Sequence, residues 1–382
     1  MRAAALFVLM MCAGSAQTPN PEQLFRDAVA AQQRGDDALA ISKYRELLKL
    51  RPDAIEVRAN LGAALARLGR FGEAIEQYRA ALAKNEGNAA LRLNLALAYY
   101  KKGDLPAAVK ELEVLHEAEP GNLRVALLLG DCYFRLGRDA EVLAVLAPIE
   151  GANADDLGLA WVLGSALIRA GRAHDGLERI ERVARRGNNA EAYLLAGQTA
   201  LKLNEFERAR DSADAAMRLN PRLPGLVTLR GTVLQYLGDN QSAIADLRKA
   251  IEANAEDFDA HLTLGAVLYT ERDLDGARRH IERALQLNPA STLALYQLAR
   301  LQRTQGQLES AVKNIEKVVH DQPDWAQPYA ELAALYFRLD RPHDGEKARA
   351  IFDRLNAEQE QRERAAQKRG DAARSTTALP SP

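Results

Sequence analysis

Residues 55–88 read IEVRANLGAALARLGRFGEAIEQYRAALAKNEGN, and residues 89–122 read AALRLNLALAYYKKGDLPAAVKELEVLHEAEPGN. Set one above the other, they share a small residue at the eighth place (Gly62, Ala96) and a glycine at the fifteenth (Gly69, Gly103). Alanine follows at the twentieth (Ala74, Ala108) and a large apolar residue at the twenty-fourth (Tyr78, Leu112). The segments on either side of the glycine carry apolar residues at helical spacing. A glycine between them lets the first helix stop in the left-handed conformation and reverse. Each stretch is therefore read as two antiparallel helices joined by a tight turn.

The same frame extends in both directions. Repeats begin near positions 21, 55, 89, 123, 157, 190, 224, 258, 292 and 326, at steps of 34 residues with one of 33. The eighth residue is Gly or Ala in every repeat. The twentieth is Ala40, Ala74, Ala108, Val142, Gly176, Ala209, Ala243, Ala277, Ala311 and Gly345. These two small sites are expected to meet where the helices cross. The fifteenth is glycine except at Asn204, Arg272 and Asp340, and Arg272 fits a left-handed turn poorly. Pro52, Pro120, Pro221, Pro289 and Pro323 close several repeats, where proline ends the second helix. A period of this length is the signature of a solenoid, in which one helix pair cannot bury its apolar face without its neighbours. The weakest point is expected at residues 147–156, where Pro148, Gly151 and Asn153 replace the tail of a second helix.

The pattern resembles the tetratricopeptide repeat family across residues 21–356. The family's tryptophan at the fourth place is missing, with Leu24 and Tyr193 among its replacements. The resemblance implies an all-α fold, a right-handed superhelical solenoid of antiparallel helix pairs that binds other proteins. It also implies that the second, fifth, ninth, twelfth and thirteenth residues of each first helix face a concave groove. Those positions hold the rings Phe25, Tyr100, Phe134, Trp161, Tyr236, Tyr269, Tyr296 and Phe337, and the bases Arg67, Lys101, Arg135, Arg169, Lys202, Arg300 and Arg303. Acids there are fewer, with Asp131 and Asp259 among them. Aromatic and arginine side chains carry much of the energy of binding surfaces. Asn60 and Asn94, at the sixth place, look like the first rungs of an asparagine ladder that grips an extended peptide, since an amide pairs with peptide N–H and C=O together. Leu128 and Val162 break that ladder, so peptide capture by asparagine is expected only in the N-terminal third.

Chemistry-bearing patterns are sparse. Formal net charge is −1, which gives no overall attraction to nucleic acid or anionic lipid; the expected partner is a protein or peptide, not nucleic acid. The six histidines show no pair at metal-ligand spacing on one helix, and there is no CxxC motif. His261 and His280 fall on opposite helices of one repeat, and we read them as surface residues. Cys132 is expected to be a buried, inert thiol. No cofactor and no enzymatic activity are expected, because repeats occupy almost every residue after the N-terminal segment.

The ends differ in character. Met1-Arg2, an apolar run from Ala3 to Ala13 and Gly14-Ser15-Ala16 read as a signal peptide, residues 1–16, cleaved after Ala16. The run is shorter than the roughly 20 residues that span a bilayer. Met11 before Cys12 departs from a lipid-attachment box, so no lipid anchor is expected. Residues 357–370 read as a charged helical extension stopped by Gly370, and 371–382 as a disordered tail. The resulting expectation is an exported scaffold, periplasmic or secreted, that binds a partner segment in its groove within a cell-envelope assembly. Carbohydrate or cell-wall binding is the alternative, since aromatic rings stack on sugar faces.

Overall fold

A computed structural model describes residues 20–377, and every regular element among them is helical. The expected signal peptide and Cys12 lie outside the described residues, as do residues 378–382. In the first five repeats the helices are α1 (Pro21–Gln33), α2 (Asp37–Leu50), α3 (Ile55–Arg67), α4 (Phe71–Leu82), α5 (Ala89–Lys102), α6 (Leu105–Ala118), α7 (Leu123–Arg135), α8 (Asp139–Glu150), α9 (Leu157–Arg169) and α10 (Ala173–Gly187). The next five hold α11 (Ala190–Lys202), α12 (Phe206–Leu219), α13 (Leu226–Tyr236), α14 (Asn240–Ala253), α15 (Phe258–Thr270), α16 (Leu274–Leu287), α17 (Thr292–Thr304), α18 (Leu308–Asp321), α19 (Ala326–Arg338) and α20 (Pro342–Thr377). Contacts divide the chain into two units, with the division after Val183, inside α10. No helix among the described residues is long and apolar enough to cross a membrane.

The turns follow the expected chemistry. All ten residues at the fifteenth place have positive φ, from Gly35 at 80° to Asn204 at 60°, Arg272 at 68° and Asp340 at 53°. Before the closing prolines the chain is extended, as at Arg51 (φ −132°), Glu119 (φ −138°) and Asn288 (φ −138°), because the proline ring disfavours the helical region for the residue ahead of it. Asp and Asn cap many first turns; Asp257, for example, accepts from Ala260 N at 2.9 Å.

Each unit buries its own apolar faces. In the first, Tyr44, Leu61, Tyr78 and Leu95 form part of one cluster, and Leu112, Leu129, Leu146 and Leu163 part of another. In the second, Leu247, Leu264 and Ile281 share a cluster, as do Ile315, Leu332 and Tyr336. The eighth residue is small for a reason beyond its meeting with the twentieth. A Cβ on Gly62, Gly130, Gly231 or Gly265 would meet Tyr78, Leu146, Leu247 or Ile281 at 2.7–2.8 Å, so the large twenty-fourth residue of the same repeat fills that space. The twentieth residue lies beside it with its backbone: the carbonyls of Ala243 and Ala277 sit 3.4 and 3.3 Å from those Cβ positions on Gly231 and Gly265. At Gly164 and Gly176 the two small residues meet directly.

At residues 147–156 α8 runs through Pro148 to Glu150, and a 3₁₀ turn, Gly151–Asn153, takes the place of the rest of the helix tail. Burial of Val145, Leu146 and Ile149 holds the last turn although Pro148 lacks a donor. At the C-terminus α20 passes through Gly370 and ends at Thr377. An isolated glycine costs a helix about 1 kcal/mol and does not by itself end one flanked by Ala, Arg and Gln.

Candidate functional site

In three repeats the thirteenth place of the first helix lies against the seventeenth place of the repeat before it. Arg67 Nε donates to Asp37 Oδ1 and Oδ2 at 3.1 and 3.0 Å, and its Nη2 reaches the Gln32 carbonyl. Arg169 repeats this arrangement with Asp139, at 2.9 Å from Nε, and with the Phe134 carbonyl, at 2.7 Å. Tyr236 fills the same place and stacks on Phe206, centroids 4.8 Å apart and planes within 5°. These residues clip neighbouring repeats together before any partner arrives.

Other expected groove residues are also engaged with one another. Tyr100 Oη donates to Asp131 at 2.6 Å while the Arg135 guanidinium lies 5.1 Å from the Tyr100 ring centre. The Asp131 hydrogen bond, and then burial, raise the Tyr100 pKa. Arg169 lies 3.6 Å over the Phe134 ring. Trp161 is half-buried against the core of its unit. In the second unit, Arg300 sits 5.0 and 6.0 Å from the centres of Tyr269 and Tyr296, Tyr269 Oη meets Thr304 Oγ1 at 2.9 Å, and Tyr296 packs edgewise on Trp325. Arg303 is ion-paired with Glu331. The basic-aromatic groove read from the sequence is thus largely an internal network, in which Arg67, Arg169 and Arg303 are neutralised by carboxylates. Lys101 and Lys202 are exposed at the ends of their helices.

The asparagine rungs are dissimilar. Asn60 is half-buried beside the Tyr44 hydroxyl, whereas Asn94 is exposed. A richer polar surface lies in the second unit. There α11, α13, α15 and α17 form a groove of about 540 Å³ lined by Gln198, Gln235 and Gln297, by Thr228, Thr232 and Thr263, and by Lys202, Tyr236, Asp257, Asp259 and Leu293. The linings come from the second, fifth, sixth, ninth, twelfth and thirteenth places of the first helices, together with Asp257 just before α15. The face implied by the resemblance is therefore a real concavity here. Of the expected groove residues only Lys202, Tyr236 and Asp259 line it. The glutamines and threonines that line it stand at those same places, Gln297 at the sixth place where Asn60 and Asn94 stand in the first unit. Asp257 is committed to structure, accepting from Ala260 N and, at 2.7 Å, from Thr228 Oγ1. Asp259 lines the groove and keeps solvent access. Partial loss of hydration, and then Asp257, raise its pKa.

His261 departs from expectation. It is buried at 7% exposure, and its Nδ1 lies 2.9 Å from Nδ1 of His280. Among the described residues no group of three or more His, Cys, Asp or Glu could hold a metal. Cys132 is fully buried, and burial pushes its thiol up to about 11, which suits an inert role.

A sequence profile described as tetratricopeptide repeat matches residues 25–89, 60–118, 162–224 and 228–292, and a second of the same description matches 103–163 and 268–336. The chain is 28% identical over 123 residues to the human protein O-mannosyl-transferase TMTC1, covering 31% of this chain and 14% of that protein. It is 26% identical over 186 residues to a DnaJ homolog subfamily C member 7 homolog of Schizosaccharomyces pombe, covering 44% and 37%. The chain therefore spans well under half the length of these relatives. Among solved structures, a tetratricopeptide repeat protein from Parabacteroides merdae aligns with TM-score 0.46 at 17% identity, over 65% of this chain and 98% of that one. The APC/C hetero-tetramer Cut9-Hcn1 aligns with TM-score 0.49 at 14% identity, over 88% and 90%.

Proposed function

Since this chain belongs to the tetratricopeptide repeat family, whose fold serves as a protein–protein interaction scaffold, we propose that it captures an extended segment of a partner protein in the groove of its second unit. The observation that carries this reading is the pair of glutamine side chains, Gln198 and Gln235, along one concavity. An amide both donates and accepts, so it can hold a peptide backbone whatever its side chains. Leu293 and Tyr236, 45% and 57% exposed, offer apolar anchors at the same surface. The role is binding and not catalysis. The N-terminal segment fits export, which would place the groove in the periplasm or outside the cell, within an envelope assembly.

A photo-crosslinking side chain at Leu293 or Tyr236, compared with one at Leu39 on α2, tests the groove in intact cells. Protein adducts at the groove positions, lost when Gln198, Gln235 and Asp259 are together changed to alanine in a folded protein, are the expected result. Adducts at Leu39 alone, or unaffected by the triple change, would sink the reading. Retardation in polysaccharide gels without any protein adduct would favour the carbohydrate alternative. Cell fractionation and N-terminal sequencing test export, which requires a mature chain beginning at Gln17.

A further inference from the structure

In three repeats the fourth residue, on the first helix, meets the twenty-third, on the second. In repeat two Arg58 Nη1 donates to Gln77 Oε1 at 3.0 Å, and in repeat three Arg92 Nη1 donates to Glu111 Oε2 at 2.6 Å. The corresponding pair in repeat eight is His261 on α15 and His280 on α16, in Nδ1-to-Nδ1 contact at 2.9 Å. The clamp that is amide-based in repeat two and charged in repeat three is here made of two imidazoles, whose unperturbed pKa lies near 6.5. The helix it ties down carries Asp259, Leu262, Thr263 and Ala266 into the groove.

We propose that the His261–His280 pair is a pH-sensitive clamp that holds α15 in place when neutral and releases this wall of the groove on protonation, so that partner binding weakens in acid. This rests on the groove being the binding surface. When both rings are neutral, one Nδ1–H donates to the other Nδ1. One added proton leaves that hydrogen bond possible. A second turns both Nδ1 atoms into donors facing each other at 2.9 Å. The surroundings oppose added charge. Arg248 faces the pair from α14 and Arg279 and Arg283 from α16, against Asp257 before α15 and Asp273 before α16. Burial, and then the charge of His261, depress the His280 pKa to about 4, and burial lowers that of His261. Both folded values lie below the unfolded value near 6.5. The clamp is therefore complete above about pH 6.5 and is lost as pH falls towards about 4.

Hydrogen exchange of the whole protein at about pH 7.5 and about pH 4.5, corrected for intrinsic rates, tests the clamp. Protection of α15 and α16 should fall on the order of tenfold or more beyond any loss in α5 and α6, whose Arg92–Glu111 clamp serves as the control. In His261→Arg/His280→Glu, which copies that control, the excess loss should vanish. An equal loss in repeats three and eight of the native protein, or an undiminished loss in the variant, overturns the proposal. Should the variant fail to fold, ring titration of the native histidines by NMR decides, with midpoints at or above 6.5 counting against. Crosslinking from Leu293 at both pH values reads the groove. Adducts should diminish in acid in the native protein and persist in the variant. A lack of adducts already at neutral pH tells against the groove reading, and the exchange result still judges the clamp.

Discussion

Arg272 occupies a place where seven of its counterparts are glycine, and it adopts the left-handed conformation at φ 68°. The turn is imposed by the helices on either side, so the residue complies at a cost of about 1–2 kcal/mol. Arg272→Gly should therefore raise stability by about 1 kcal/mol in urea unfolding, after the greater freedom of glycine in the unfolded chain is subtracted. Arg272→Ala should give no such gain. Gly176 offers the opposite case. A Cβ there would lie 2.5 Å from the Gly164 carbonyl oxygen and 3.0 Å from the Ile168 nitrogen, both backbone atoms. Gly176→Ala should cost about 2 kcal/mol, because neither helix can yield without moving as a body. Gly72→Ala, with nothing within 4 Å of the added carbon, should be neutral or gain about 0.5 kcal/mol from helix propensity.

Between elements, a hydrogen-bonded tyrosine recurs at the eleventh place. Tyr133 Oη donates to Glu113 and Tyr336 Oη to Glu316, each at 2.6 Å, so the second helix of one repeat is tied to the first helix of the next. Arg138 and Arg341 lie 4.5 and 4.3 Å over the same two rings. Removing either hydroxyl, in Tyr133→Phe or Tyr336→Phe, should cost about 1 kcal/mol, the worth of a hydrogen bond whose carboxylate partner keeps some access to water. Burial pushes Tyr44, Tyr78 and Tyr336 up to about 12, while the unfolded value is about 10. These groups stabilise the fold fully below about pH 10, and that contribution is lost as pH rises towards 12. Ultraviolet titration should show them still un-ionised when exposed tyrosines have lost their protons. A single tyrosinate wave near pH 10 would contradict the packing described.

Over the whole molecule, each repeat leans chiefly on its neighbours, so damage should stay local. Gly130→Val would press on Leu146, which already lies 2.8 Å from the Cβ position. Hydrogen exchange should then accelerate in α7, α8 and their neighbours α6 and α9 while α17–α20 keep their native protection. Uniform acceleration along the chain would mean a single cooperative block instead of a stack. The family's binding role enters at this scale too, since a groove exists only when first helices from successive repeats lie side by side.

The amino-acid sequence by itself determined the helix pairs, their turns and their register, because each depends on a residue's own conformational preference or on one spacing repeated along the chain. Small residues at the eighth place and left-handed residues at the fifteenth are local facts that need no partner to be read. Tertiary structure alone decided which groove side chains are spent on one another: Arg169 and Asp139 are 30 residues apart, and nothing in either position announces that the base is taken. It also placed His261 against His280 and brought Gln198, Gln235 and Gln297 to one groove. A side chain's availability is set by the neighbours that burial and charge bring to it across repeats, and a linear period does not encode that competition.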